Sequence, residues 1–332
     1  MNLQNDINYI DFKKVEGGFL RYINGKSEFI RVEVFEAEEE CNKYDISVVM
    51  TNYNRKDDVI SALESILKTK RNLINLEIII VDDGSNDDSV AALMPYVNNQ
   101  KIKLVSLLKN TGSQALPKNI GTFIAKGKYI SYIDSDDEIF DINSYETCYF
   151  EMENAGEKYV MGHSNIIFQI ECSDETFEKG MEWVLTLEDY LPQTTEFDDR
   201  SRFYKIRKNR EYTLLDLMTY GYYDGLKLIR KKDWEKVGGS VEWLGSCCDF
   251  GLILKLLRYG NVLHINANCY KYRITGENDS FYTPEQAELD YQLHRVFVLN
   301  ELKIRNLDFN YINQNQDFIG RYKFKREEIK GK

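Results

Sequence analysis

The chain has 332 residues, 43% of them hydrophobic and 29% charged, with a formal net charge of −11. That composition supports a large core and excludes wholesale disorder. The acidic balance also excludes the broad basic footprint of a nucleic-acid binder, so an anionic ligand needs a local cation or a metal. No run approaches eighteen apolar residues and no cationic start leads into an apolar core, so the expectation is a soluble protein with at most peripheral membrane contact. Six cysteines (Cys41, Cys148, Cys172, Cys247, Cys248 and Cys269) lack metal-ligand spacing, and adjacent Cys247 and Cys248 do not close a relaxed disulfide. A reducing cytoplasm fits them.

Residues 1–44 stand apart. Within the segment Phe19 to Phe35, Asn24-Gly25 lies between two strand-like runs, which predicts a tight hairpin appendage. The acidic patch Glu36 to Glu40, interrupted only by Ala37, then reads as a solvated linker. From Asp45 strands and helices alternate. Ile46-Ser-Val-Val-Met50 is a buried-strand run, and Val59, Ala62, Leu63, Ile66 and Leu67 fall on one helix face. Glu77-Ile-Ile-Ile-Val81 is a second strand, and Val90, Leu93, Met94 and Val97 mark a second helix with Ser85 or Asn86 as its cap. Lys101 to Leu107 alternates as a third strand. Pro117 suits the first turn of a short helix carrying Ile120, Phe123 and Ile124. Such alternation predicts a parallel sheet covered on both faces, with ligands gathering beyond the carboxyl ends of its strands.

The next strand, from Tyr129, ends in Asp134, Asp136 and Asp137. Three acids in four positions repel one another unless neutralised, and clustered oxygen donors at a strand end suit Mg²⁺ or Mn²⁺ better than zinc. A solvated acidic turn would carry the same residues. The segments Asp45 to Arg55, Val81-Asp-Asp-Gly-Ser85, Asn110-Thr-Gly with Pro117-Lys-Asn-Ile-Gly121, and Ile133-Asp-Ser-Asp-Asp137 together resemble the successive blocks of a family 2 glycosyltransferase. The resemblance implies a GT-A fold: one mostly parallel, Rossmann-like sheet flanked by helices, here with the hairpin in front and a helical tail behind. It also implies an inverting transfer. In that light Thr51, Tyr53 and Asp83 hold the uridine-like part of a donor, with Asn54, Lys118 and Ser135 in the same nucleotide-sugar site. Capping of the following helix is the structural alternative for Asp83. Lys118 stands where the family usually has arginine, and a lysine offsets diphosphate charge as a point cation without the bidentate fork. Asp136 corresponds to the metal ligand, for Mn²⁺ or Mg²⁺, and Asp134 to a contact with ribose or the metal's waters.

Further along, a helix is predicted from about Ser144 to Asn154 and a strand from Lys158 to Ile170. Residues 171–212 show no clear period and are assigned to an insertion shaping the acceptor pocket. Tyr222 to Arg230 resumes as strand, followed by a helix to Val237 that Gly238-Gly239 stops. Phe250, Ile253, Leu254 and Leu257 predict a helix with Asp249 in its first turn, near the positive end of the dipole. The resemblance makes Asp249 the general base, the usual preceding Glu being replaced by Cys248; Cys247 and Cys248 are taken as packing residues. Val262 to Ile265 and Cys269 to Arg273 read as two short strands, and Tyr272 to Ser280 resembles a loop closing over the donor diphosphate, with Arg273 in place of a histidine. Leu289, Leu293, Val296 and Phe297 predict a last helix over 284–305. The tail from Arg321 carries six basic residues, a solvated end or a weak membrane-surface contact.

The expected organisation is a hairpin extension and linker over 1–44, a GT-A domain over 45–280 divided at 140 into nucleotide-binding and acceptor-binding halves, and a helix and basic tail over 281–332. The expected activity is metal-dependent, inverting transfer from a nucleotide-diphosphate sugar, with UDP as the nucleotide, to a hydroxyl of a polysaccharide, teichoic acid or protein glycan. Two other classes compete. One is a nucleotide-sugar binding module that has lost turnover, suggested by Cys248 and the absent histidine; the other is a nucleotidyltransferase, against which the lack of a basic glycine-rich phosphate loop counts.

Overall fold

The computed structural model describes residues 10–23, 26–36, 43–100, 102–170, 193–197, 203–207, 214, 218, 225–275 and 284–307. The chain starts with an antiparallel meander of β1 (Ile10–Val15), β2 (Gly18–Ile23) and β3 (Lys26–Phe35). Ile23 pairs with Lys26, the register that a two-residue loop imposes, although Asn24-Gly25 itself lies outside the described residues. The predicted hairpin is thus present with one strand more, and β3 pairs with β6 (Lys103–Leu107), which joins the meander to the main sheet.

Strands β4 (Ile46–Asn52) and β5 (Leu76–Asp82) are buried on both faces, as their near-continuous apolar runs require in a covered parallel sheet. With β6 and β7 (Tyr129–Asp134) they run parallel in the order β6-β5-β4-β7. Helices α1 (Lys56–Leu67), α2 (Ser89–Gln100) and α3 (Ala115–Ile124) make the crossovers. The predicted α1 stripe is correct in four of its members, since Val59, Ala62, Leu63 and Ile66 are fully buried. Beyond β7 come β8 (Glu138–Ile139), α4 (Ser144–Ala155) and β9 (Tyr159–Ile170), then β10 (Gln193–Phe197) and β11 (Phe203–Arg207), a hairpin that extends β9. That hairpin falls where no period was legible; most of 171–212 otherwise lies outside the described residues. Strand β12 (Lys227–Arg230) inserts antiparallel between β7 and β9 and is shorter than the predicted run, whose residues 222–224 lie outside the described residues.

After α5 (Lys231–Val237), a 3₁₀ segment Glu242–Cys247 leads into α6 (Cys248–Leu256). The two short strands expected over 262–273 are one, β13 (Asn261–Ile274), parallel to β9 with register shifts between Ile265 and Asn268 and again before Tyr270. The Asn165 amide explains the break: it donates to Asn266 Oδ1 at 3.2 Å and Asn268 Oδ1 at 3.1 Å, holding a bulge that interrupts the alternation without ending the strand. The last helix, α7 (Pro284–Ile304), faces inward differently from expectation. Leu289 and Val296 are exposed, while His294, Phe297, Val298, Glu301 and Leu302 are buried. Polar residues can face inward because α6 and the turn after it supply partners: Arg258 Nε donates to Glu301 Oε2 at 3.1 Å and the Phe250 ring stacks on His294 at 3.8 Å. Burial pulls the His294 pKa down to about 3, so it packs as a neutral ring.

Helices α1, α2 and α4 cover one face of the sheet; α3, α5, α6, α7 and the meander cover the other. No helix of the described residues is long and apolar enough to cross a membrane. At the amino edge of the parallel strands, buried Glu77 gathers β4, β6 and the start of β7. It accepts from Ser47 Oγ at 2.5 Å and the Lys126 N–H at 2.7 Å, and Lys103 Nζ lies 3.3 Å away. Gly127 sits against this clamp, and a Cβ there would lie 2.4 Å from the Ser47 backbone nitrogen. Gly127→Ala should therefore destabilise the fold by about 1–3 kcal/mol, seen as a lower urea midpoint at an unchanged slope.

Candidate functional site

The four parallel strands end on one edge, and the order of the chain reverses between β4 and β7, where Thr51 stands opposite Asp134. One strand over, Asn52 stands opposite Asp82. A crevice at such a reversal is where open α/β sheets take ligands, so Thr51, Asp83 and the Asp134 to Asp137 segment share one location.

On the β5 side, Asp83 does not cap α2. That helix starts at Ser89, whose N–H is received by Asp87 at 3.1 Å, while Asp82 accepts the Ser85 N–H at 2.9 Å. Asp83 instead accepts from the Thr111 N–H at 3.0 Å and the Thr111 hydroxyl at 2.8 Å. Gly84 makes this approach possible: at φ 75° its Cα packs against the Lys109–Asn110 backbone, and a Cβ would lie 2.7 Å from Asn110 N. Burial pushes the Asp83 pKa up to about 6, against the pull of the Thr111 bonds. Thr51 is nearly buried beside it, while the Tyr53 ring is exposed. Asn54, at φ 51°, spends its side chain on the loop: Oδ1 accepts the Asn86 N–H at 2.8 Å, and its own N–H donates to Ser85 Oγ at 2.9 Å. Asn54 therefore joins the β4–α1 and β5–α2 loops.

The three acids after β7 diverge, and each meets groups of the protein itself. Asp134 lies 3.2 Å from Lys118 Nζ; Asp136 lies 3.5 Å from Arg55 Nη1. Asp137 turns inward, accepting from Tyr270 OH at 2.6 Å and the Arg273 N–H at 3.0 Å, and burial with the neighbouring Asp136 and Asp134 pushes its pKa well up. Lysine and arginine of the protein itself thus share in balancing the charge of this cluster. Among the described residues no group of three or more His, Cys, Asp or Glu could hold a metal. Asp136 and Asp134, partly exposed in the crevice, still fit a hard cation that takes its remaining oxygens from substrate and water. Arg273 reaches the same place: Nη1 donates to Asp58 Oδ1 at 3.1 Å and to the Asp136 carbonyl at 3.5 Å. Ser135 is buried between the two acids, and residues 276–280 of the expected closing loop lie outside the described residues.

Lys118 meets two carboxylates of the protein itself. It is fully buried, with Nζ 3.1 and 3.3 Å from the two Asp249 oxygens as well as 3.2 Å from Asp134. Burial works against the ammonium, but the two carboxylates outweigh it and hold the Lys118 pKa well above the ordinary value. Burial likewise works to raise Asp249, and Lys118 with Lys227 overrides it, leaving that carboxyl below the usual range. By linkage the aspartate's contribution to stability is present above the ordinary carboxylate pKa and is lost as pH falls through its lowered folded value. The lysine's is present below the ordinary lysine pKa and is lost as pH rises through its raised folded value. The bridge thus stays intact throughout the neutral range. Asp249 opens α6 as predicted, and its side chain retains 27% exposure. Cys247 and Cys248 are buried free thiols, as expected of packing residues.

Four residues of the site escaped the sequence reading. Thr111 and Arg55 lay inside quoted blocks without a role; the hydroxyl after Asn110 and the Arg55/Asp58 spacing at a helix start were the available signals. Tyr270, and Asn119 beside Lys118, carried none that a single sequence displays.

The model of the family described as Glycosyl transferase family 2 matches residues 47–232. Glycosyltransferase GlyG of Streptococcus pneumoniae is 36% identical over 118 residues, 36% of this chain and 38% of that protein. Chondroitin synthase of Escherichia coli is 24% identical over 258 residues, 77% of this chain and 32% of its own length. The chain thus spans about a third of the length of these curated relatives. Among solved structures, S. aureus TarS 1-349 in complex with UDP-GlcNAc aligns with a TM-score of 0.57 at 19% identity, covering 87% of this chain and 76% of that one. The mannosyltransferase PcManGT from Pyrobaculum calidifontis, in complex with GDP-Man and Mn²⁺, aligns at 0.52 and 13%, covering 78% and 65%. These likenesses give the sheet and its flanking helices as a GT-A fold, and the family match covers more than half of the sequence: the chain belongs to glycosyltransferase family 2.

Proposed function

We propose that this glycosyltransferase moves a hexose or N-acetylhexosamine from a UDP-sugar to a hydroxyl of a polysaccharide, teichoic acid or protein glycan, inverting the anomeric centre. The observation that carries the reading is Asp249: an ionised, partly exposed carboxylate held by Lys118 at the crevice where the strand-end residues converge. UDP as the nucleotide is supported by the relative bound to UDP-GlcNAc. Location in the cytoplasm is supported by the buried free thiols Cys148, Cys247, Cys248 and Cys269.

In this reading the nucleotide lies over β4 and β5. Thr51 offers a hydroxyl, Tyr53 a ring for stacking, and Asp83 a carboxylate that Thr111 aims while leaving acceptor capacity for a base N–H. Asp249 receives the acceptor's proton as the new glycosidic bond forms and the bond to the diphosphate breaks. Because Lys118 lowers its basicity, proton transfer follows bond formation rather than preceding it. Asp136 would hold Mn²⁺ or Mg²⁺, with Asp134 oriented toward ribose or the ion's waters. When bound, the ion neutralises charge developing on the leaving diphosphate. Arg55 and Arg273, both within reach of the Asp136 segment, are the guanidinium groups available to that diphosphate.

The deciding experiment incubates the protein with a panel of UDP- and GDP-sugars and Mn²⁺, and follows the products. Nucleoside diphosphate release supports transfer, nucleoside triphosphate and sugar 1-phosphate formed only when pyrophosphate is added support a nucleotidyltransferase, and binding without turnover supports a binding module. Asp249→Asn should lower turnover by roughly 10²–10⁴-fold with donor affinity unchanged. NMR coupling constants should report an inverted product, and retention or a fully active variant would overturn the mechanism.

Asp83 generates a pH dependence. A base N–H binds the ionised carboxylate, so with a pKa of about 6 donor affinity should rise as pH increases through 6 and level off above 7. Asp83→Asn should bind more weakly and show no such step in calorimetric titrations over the same window. For the metal, Asp136→Asn should weaken Mn²⁺ binding in the presence of UDP, read by electron paramagnetic resonance; an unchanged titration curve would remove Asp136 as the ligand.

A further inference from the structure

The meander β1 to β3 lies outside the residues that match the family model, yet it touches the segment that leads to Asp249. That segment, between α5 and α6, contains three glycines at positive φ: Gly238 (71°), Gly239 (76°) and Gly245 (56°). Glycine reaches many conformations at little cost, so such a segment does not set the start of α6 by itself. Its conformation is imposed from outside. The Ile10 N–H donates to the Gly238 carbonyl at 3.3 Å, and Lys255 Nζ to the Gly239 carbonyl at 2.9 Å. Asn119 clamps the next residue in both directions, accepting the Ser240 N–H at 2.7 Å and donating to the Ser240 carbonyl at 3.0 Å.

Arg21 of β2 closes the set. Its guanidinium pairs with Glu242, which begins the 3₁₀ segment, and Glu242 Oε1 lies 3.5 Å from Asn119 Nδ2. The second guanidinium arm pairs with Glu28 of β3, so Arg21 is fixed by the meander before it reaches the loop. Phe12 and Phe19 pack on Phe123 of α3 at 5.8 and 6.0 Å, tying the same meander to the helix that carries Lys118 and Asn119. Both sides of the Lys118–Asp249 bridge are therefore braced by one three-stranded unit.

We infer that the amino-terminal meander is a positioning device for the general base, and that Arg21, through Glu242, is the positioning residue by which it sets the register of the loop that starts α6. The inference rests on the reading of Asp249 as base. A displacement of about 1 Å at a catalytic group costs on the order of 10²-fold in rate, so a lost brace is visible in turnover before it is visible in the fold.

The experiment measures turnover and KM for UDP-GlcNAc and UDP-glucose, UDP affinity by calorimetry, and melting temperature, on the full chain. Arg21→Gln should lower kcat at least about tenfold, with KM and UDP affinity within about twofold of wild type, and Arg21→Lys should recover most of the loss by restoring a cation against Glu242. Glu242→Gln cuts the same link from the other end and should show the same split, which keeps the test available if the Arg21 variant does not fold. Wild-type kcat in a folded Arg21→Gln and in Glu242→Gln would overturn the inference, as would equal losses of kcat and UDP affinity. Asp249→Asn is assayed alongside. If it turns over at the wild-type rate the base assignment fails; if it is slow while Arg21→Gln and Glu242→Gln are fast, only the role of the meander fails.

Discussion

The buried ammonium of Lys118 is the interaction on which the arrangement of the site depends. It comes from the crossover helix α3, and within about a hydrogen bond's length it meets Asp134, at the end of a parallel strand, and Asp249, at the start of a helix and 131 residues further along the chain. A lysine without solvent would ordinarily release its proton. Two carboxylates prevent this, and the cation in turn holds the Asp249 carboxyl below the usual range against the pull of its burial.

Lysine suits this position for a geometric reason. An arginine fork matches one carboxylate in its plane, whereas an ammonium directs its donors along a tetrahedron and can divide them between two acids on different elements. Its neighbour Asn119 completes the contact by binding the backbone of Ser240, so consecutive residues of α3 hold the side chain of the base and the loop before it. Gly121, one turn on, lets α3 come close enough: a Cβ there would lie 2.5 Å from the Val49 side chain. A block that resembles a donor-binding loop in sequence therefore also serves as the joint between the parallel strands and the start of α6.

The parallel half was legible because each of its signals is local. Apolar runs, the α1 stripe and acids at strand ends all follow from periodicity and burial, and they lead to the fold and to the place of Thr51, Asp83, Asp136 and Asp249. What stayed illegible depends on partners distant in the chain. The inward face of α7 was misread because His294 and Glu301 look solvent-facing until Phe250, Arg258 and Arg305 are brought to them. The bulge in β13 was read as a gap because the Asn165 side chain that holds it belongs to another strand. The same holds for the acid cluster: its charge was visible, but its partners Lys118, Arg55 and Tyr270, all distant in the chain or on other elements, were not.

These partners bear on how an acidic chain would accept a diphosphate. On the reading proposed above, the donor does not meet bare carboxylates, since Asp134, Asp136 and Asp58 each lie within 4 Å of a lysine or arginine. An incoming diphosphate offers Arg55 and Arg273 a second anion, and any shift of Arg55 toward phosphate leaves Asp136 with less positive charge beside it. A divalent ion at Asp136 then faces a stronger field from the protein and from the phosphate together. Ion and donor would thereby be coupled through Arg55, each removing a competitor of the other, and by reciprocity the ion would tighten the donor by the factor with which the donor tightens the ion.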